Sequence, residues 1–262
     1  MMQRRRFPNT IKLLILFLWI SLLAPVSGLA ATFYVAPDGD DLNPGTELSP
    51  WASIQHAEGQ VNPGDTVLVA DGDYSPFHVS TAGTSSARIV FKATGLNANI
   101  NGYELYNGRY TAIGIDADYI TIDGFNIDVG ATDTSIMSRG IRVSGMDGSH
   151  RLGVVIKNNT ITNAGWVGIT TSFAEGIVIE NNDISNSLGQ HGIYVANSAD
   201  NPVIRGNLLH DNDEAGVQIN ADSYAGGDGF ITNALIENNI LWGNGLNGSG
   251  AIELDGVSSS TI

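Results

Sequence analysis

One apolar phrase returns along the second half of the chain. Residues 154–161 read VVIKNNTI, 177–184 IVIENNDI, 202–209 PVIRGNLL and 234–241 ALIENNIL. Aligned on the central isoleucine, with an earlier copy at ITID, the phrase places Ile122, Ile156, Ile179, Ile204 and Ile236 at spacings of 34, 23, 25 and 32 residues. After each comes a turn rich in Asn and Gly. A second apolar run then opens on glycine: GIRV (140–143), GITT (168–171), GIYV (192–195), GVQI (216–219) and GAIEL (250–254). Apolar and other residues alternate within these runs, the period of a strand with one buried face. Ile161, Ile184 and Leu209 mark a third short strand after the asparagines. Three strands in about 23 residues leave no room for crossover helices, so the repeat predicts coils of a parallel β-helix that turns three corners.

Stacking gives the polar positions their roles. Asn159, Asn182, Asn207 and Asn239 fall at one corner of successive coils, about 4.8 Å apart, where their amides form a ladder. Phe125 holds that place in the first copy, so the ladder begins one coil later. Two residues earlier the outward positions are Asp123, Lys157, Glu180, Arg205 and Glu237, alternating in sign. Opposite charges on neighbouring strands contribute a few tenths of a kcal/mol per pair. Lys157 and Arg205 therefore read as ladder members rather than catalytic bases.

The region 32–95 differs in character, with a strand, an Asp/Gly/Pro loop, a short helix and further strands. Ile54, Ala57 and Val61 share a helical face between Pro50 and Pro63-Gly64, and this helix is expected to cap the first coil. TVLVADGDY and ARIVFKA would then begin the coils. The order YVAPDGDD, NPGT, SPW, SIQHA and PGDTVLVADGDY resembles the N-terminal segment of secreted right-handed parallel β-helix proteins. The similarity is greatest to the polysaccharide lyase family 9 pectate lyases and their relatives. That resemblance implies an all-β, right-handed parallel β-helix; lyases, epimerases, hydrolases and non-enzymes share it.

Ahead of the cap, Arg4, Arg5, Arg6 and Lys12 precede an apolar run from Leu13 to Leu23 and small residues at Gly28 and Ala30. This reads as a secretory signal over residues 1–31, too short in its core for a bilayer span; an uncleaved anchor is the alternative. The organisation is then 1–31 signal, 32–95 cap and first strands, and 96–262 repeat region. GVSSSTI leads towards another coil, so further coils and a C-terminal cap are expected beyond it.

Charge narrows the partners. Without the leader's four basic residues the net charge falls from −15 to −19. Such a surface repels nucleic acid and anionic lipid, and accepts an acidic polysaccharide only where cations intervene. With no cysteine, an exported monomer must hold together without disulfides.

The glycine-led strands carry an outward column without sign alternation: Arg142, Thr170, Tyr194, Gln218 and Glu253. Ser144, Ser172, Ala196, Asn220 and Asp255 follow two residues on. In the resembled lyases this sheet floors the saccharide groove, which makes Thr170, Gln218, Asn220 and Glu253 candidate substrate contacts. The spacing from Ile204 to Ile236 stretches to 32 residues, and most of the excess lies after Asn220, in ADSYAGGDGFITN, a candidate groove wall. Its Asp222 and Asp228, with Asp255, could hold Ca²⁺, although Asp in a glycine-rich loop also serves turn geometry. His191 and Glu214 lie just ahead of the glycines at the other margin.

A lyase of this kind draws a proton from C5 of a uronate, using a base and a cation on the carboxylate. In the resembled family the base is lysine and the cation is calcium held by an Asp cluster. Beyond the leader the only lysines are Lys92 and Lys157, neither in the groove column, so that base has no counterpart here. Arg142 could act electrostatically, and Tyr194 or His191 could move protons. The reading is a secreted, calcium-assisted lyase on pectate or alginate. The alternative is a non-catalytic carbohydrate-binding β-helix, and less directly a hydrolase using Glu253 and Asp255.

Overall fold

The computed structural model describes residues 30–144 and 149–262; the leader assigned to 1–31 lies outside them up to residue 29. The strands stack into three parallel sheets, one strand of each per coil. A ladder sheet runs Thr32–Val35, Thr66–Val69, Ile89–Ala93, Ile120–Asp123, Val155–Lys157, Val178–Glu180, Val203–Arg205 and Leu235–Glu237. A second sheet of short strands starts at Gly72–Tyr74 and ends at Ile240–Trp242. The third, the cleft sheet, contains Phe77–Val79, Arg109–Ile115, Arg139–Ser144, Val167–Ser172, Ile193–Ala196, Val217–Asn220 and Ile252–Asp255.

The predicted register holds along the whole stack. Ile122, Ile156, Ile179, Ile204 and Ile236 pair in sequence, and the first four are fully buried. Ile161, Ile184 and Leu209 do the same on the second sheet. Like side chains stacked at one strand spacing form one continuous buried core, which is why a repetitive sequence packs well here.

Both asparagines of each doublet are now explained. The second forms the ladder: Asn159 Nδ2 donates to Asn182 Oδ1 at 3.0 Å, Asn182 to Asn207 at 3.0 Å and Asn207 to Asn239 at 2.9 Å. The first turns the corner. Gly124, Asn158, Asn181, Gly206 and Asn238 all have positive φ, between 56° and 85°. Only Gly and Asn enter that region at low cost. Phe125 indeed replaces the first ladder amide, its N–H donating to Asn159 Oδ1. A further ladder, Ser187, Asn212 and Asn244, lines the corner after the second sheet.

The charge column also holds, and extends by one coil, because Lys92 pairs with Asp123. Both lysines among the described residues thus stand on the ladder sheet, away from the cleft sheet.

The helix spans Ile54–Glu58, begins at an N-capping Ser53 and buries Ile54 and Ala57, with Val61 beyond it. Its polar side chains bind the outermost strand of the cleft sheet. Gln55 accepts from the His78 N–H at 2.9 Å and donates to the His78 carbonyl at 3.2 Å. Glu58 accepts from the backbone of Ser80 and Thr81. These bonds satisfy edge groups that would otherwise invite another strand.

Candidate functional site

Backbone pairing fixes the outward column of the cleft sheet as His78, Gly114, Arg142, Thr170, Tyr194, Gln218 and Glu253. The five residues expected from the repeat are therefore contiguous. Ser144, Ser172, Ala196, Asn220 and Asp255 form the parallel column beside them.

A cleft of about 300 Å³ opens over this sheet, lined by Arg109, Arg139, Arg142, Trp166, Thr170 and Tyr194, with Asp222 at its rim. Three of the eight basic residues after Lys12 meet there, in a chain whose net charge is −15. Arg142 comes from the outward column. Arg139 precedes Gly140, whose missing Cβ lets the backbone pass close to Ile161. The Arg139 guanidinium stacks over Trp166, 4.1 Å from the ring centre. Arg109 arrives on a hairpin that pairs Glu104–Tyr106 with the start of Arg109–Ile115. Asn107 and Gly108 make its turn, both at positive φ, as two-residue hairpins require.

The electrostatics of the cluster favour an anion. Burial, then the neighbouring Arg109 and Arg142, push the Arg139 pKa down to about 10. Arg142 is lowered by burial and by Arg109. Among the described residues none of the three forms an ion pair with a carboxylate, whereas Lys157 and Arg205 pair with Asp123 and Glu180. Arg139 and Arg142 are buried with the exposed Arg109 beside them, and cations that repel one another there are stabilised by a bound anion.

Tyr194 stands between Trp166 and His191, with ring centres 6.2 and 5.5 Å away. Burial raises its pKa, so the phenol keeps its proton, and Asn220 donates to its oxygen at 3.4 Å. His191 does not open onto the cleft as a free base. It is 2% exposed; Nδ1 accepts from the Ala215 N–H at 3.1 Å and Nε2 lies 3.1 Å from Glu214. Burial lowers its pKa and raises that of Glu214. With both nitrogens engaged, the geometry makes His191 a support beneath Tyr194.

The candidate metal ligands do not converge. Asp222 accepts from the Tyr224 N–H, capping a short 3₁₀ turn, and Asp228 accepts from the Phe230 N–H. Asp255 is exposed on the last cleft strand. Among the described residues no three His, Asp or Glu side chains are gathered to hold a metal ion. The donor set therefore does not fit the expected calcium. Glu253 accepts from the Gly250 N–H, while Thr170, 8% exposed, and the half-buried Gln218 take their places on the floor.

Arg109, Arg139 and Trp166 escaped the repeat pattern. The Asn107-Gly108 pair was a readable hairpin signal, and Arg139 precedes its glycine just as His191 does. Trp166 sits in the corner before a strand, where the period carries no information.

Residues 33–167, just over half of the chain, match the model of the Pel9A-like right-handed β-helix region. The chain is 31% identical over 151 residues to the uncharacterised protein YwoF of Bacillus subtilis, covering 55% of this chain and 31% of that protein. It is 41% identical over 81 residues to pectate lyase PEL9 of Emericella nidulans, covering 29% of this chain and 20% of that enzyme. Each match thus spans under a third of the relative's length. The lacto-N-biosidase of Eubacterium ramulus superposes with a TM-score of 0.60 at 16% identity, over 80% of this chain and 44% of that one, a likeness of fold. With three parallel sheets, the asparagine ladder and the matched segment in agreement, the chain belongs to the Pel9A-like right-handed β-helix family.

Proposed function

We propose that the protein binds an acidic, uronate-bearing polysaccharide along the cleft sheet and cleaves it by β-elimination. The observation that carries this reading is the cluster of Arg109, Arg139 and Arg142 in a strongly acidic chain, flanked by Trp166 and Tyr194. Guanidinium groups match carboxylates with paired donors, and aromatic faces suit sugar rings. The relation to a pectate lyase supports the same substrate class.

In such an elimination a base removes the C5 proton. The electron pair becomes the C4–C5 double bond, the C4–O bond breaks, and the departing oxygen takes up a proton. Arg142 and Arg109 neutralise the carboxylate and stabilise the charge that develops on it. Arg139, stacked on Trp166 beside them, adds its charge to the same carboxylate. Tyr194, held protonated, serves the departing oxygen. The arginines thereby take the part that a metal ion would otherwise play. We also place the protein outside the cytoplasm, on the reading of residues 1–31 as an export leader.

The test is incubation with pectate and alginate, following absorbance of the unsaturated product with and without chelator. Turnover that survives chelation and is lost in Arg142→Ala supports the reading; no product from either polymer overturns the lyase step. Binding without product would favour the second reading, a carbohydrate-binding β-helix. That alternative is favoured by His191, whose nitrogens are both engaged.

A further inference from the structure

The cleft sheet is closed at one end. The two outward positions before Arg142, namely His78 and Gly114, lie under the ring of Tyr106. Tyr106 stacks on His78 with ring centres 4.3 Å apart and planes 17° from parallel. It also sits so low over Gly114 that a Cβ there would come within 2.5 Å of the ring. The hairpin carrying Tyr106 is braced by Tyr103 packing edge-on against Tyr110 at 5.6 Å. Glu104 on the same hairpin lies 3.7 Å from His78 Nδ1. The roof thus covers the floor before Arg142, and the cleft begins at Arg142 and runs past Thr170 to Tyr194.

Charge follows the same polarity. The hairpin's Arg109 turns back into the cleft beside Arg139 and Arg142, so the cations gather against the closed end. Further along, the floor passes from Thr170 and Tyr194 to Gln218 and then to the carboxylates of Glu253 and Asp255. A polyuronate laid along the floor would meet the Tyr106 roof on one side of the arginines and, on the other, like charge at Glu253 and Asp255.

We infer that the cleft receives the terminus of an acidic polysaccharide, with the terminal uronate against the three arginines and the next sugars over Thr170 and Tyr194. This deepens, and rests on, the uronate reading of the same site. It makes the hairpin a specificity element: Tyr106 excludes internal segments of the polymer by occupying the floor they would cross.

The test uses the intact protein, galacturonate oligomers of defined length and high-polymer pectate, with tryptophan fluorescence as readout. If termini are bound, the total sugar needed for half-saturation rises in proportion to chain length, because ends become scarcer. Tyr106→Ala, which lifts the roof and leaves the Asn107-Gly108 turn, should flatten that dependence. The wild-type series decides the matter even if the variant folds poorly. Half-saturation at the same sugar concentration for all lengths would overturn end recognition while leaving the uronate reading intact. Failure of every probe to bind would overturn that reading, and this inference with it.

Discussion

The Arg139 guanidinium lies over the Trp166 ring at 4.1 Å from its centre, while its Nη1 donates to the Met137 carbonyl at 2.6 Å. The indole fixes the cation without neutralising it, and a desolvated contact of this kind contributes about 1–2 kcal/mol. Arg139→Ala should reduce turnover of a uronate polymer by about a hundredfold to a thousandfold, the usual loss when a group stabilising the transition state is removed. Trp166→Phe should retain most of the activity, whereas Trp166→Ala should weaken binding and make it more sensitive to salt. Initial rates over a range of polymer and salt concentrations measure both. Equal rates for Arg139→Ala and the parent would remove Arg139 from the chemistry.

Much of the fold was legible because a β-helix writes three-dimensional neighbours as sequence repeats. The spacing of Ile156, Ile179 and Ile204 carried the register directly, and the alternation of Asp123, Lys157, Glu180 and Arg205 agreed with it as pairs on adjacent strands. The cleft was half legible. Arg142, Thr170 and Tyr194 lie on the period and were found. Arg109 and Trp166 lie off it, on a hairpin and at a corner, where position depends on local turn geometry. The Asp residues of the long loop looked like a metal site because carboxylates that cap turns and carboxylates that bind cations share one composition. Only the direction of their oxygens separates the two.

Lys157 supplies a control. Its Nζ lies 3.8 Å from Asp123 Oδ2, and its strand pairs with that of Glu180 on the ladder sheet. Asp123 is buried but keeps the Asn158 amide as a donor at 2.7 Å, so Lys157→Met should cost about 1 kcal/mol and should leave turnover within about twofold. Urea unfolding and initial rates check this together. A large loss of activity with unchanged stability would move the chemistry to the ladder sheet.

The asparagine doublet separates two kinds of stability. Asn182 Oδ1 accepts from both Asn159 N and Nδ2 at 3.0 Å, and its Nδ2 donates to the Ile156 carbonyl at 3.0 Å. Asn182→Ala leaves those buried partners unpaired and should cost about 2–4 kcal/mol. Asn181, at φ 57°, acts through the backbone alone. Asn181→Gly should be nearly neutral, and Asn181→Ala should cost about 1 kcal/mol. Shifts in urea midpoint at constant slope would establish this order; equal costs at both positions would mean that the ladder amide contributes nothing beyond the turn.

His191 links stability to acid. Burial in the folded protein lowers its pKa from the ordinary 6.5, while the unfolded chain retains that value. Between the folded pKa and 6.5 the unfolded state therefore binds more protons, so stability rises with pH through this window and falls as the solution is acidified. Glu214, 3.1 Å away, has its pKa raised by burial, which acts in the opposite sense from 4.5 upward. Below the window both imidazoles are charged and the penalty is complete. His191→Gln keeps a side-chain acceptor for the Ala215 N–H and has no charge to gain. Thermal midpoints measured from neutral to mildly acidic pH should thus fall more steeply for the parent than for His191→Gln. Parallel curves would show that the imidazole takes up its proton as readily in the folded protein as in the unfolded chain.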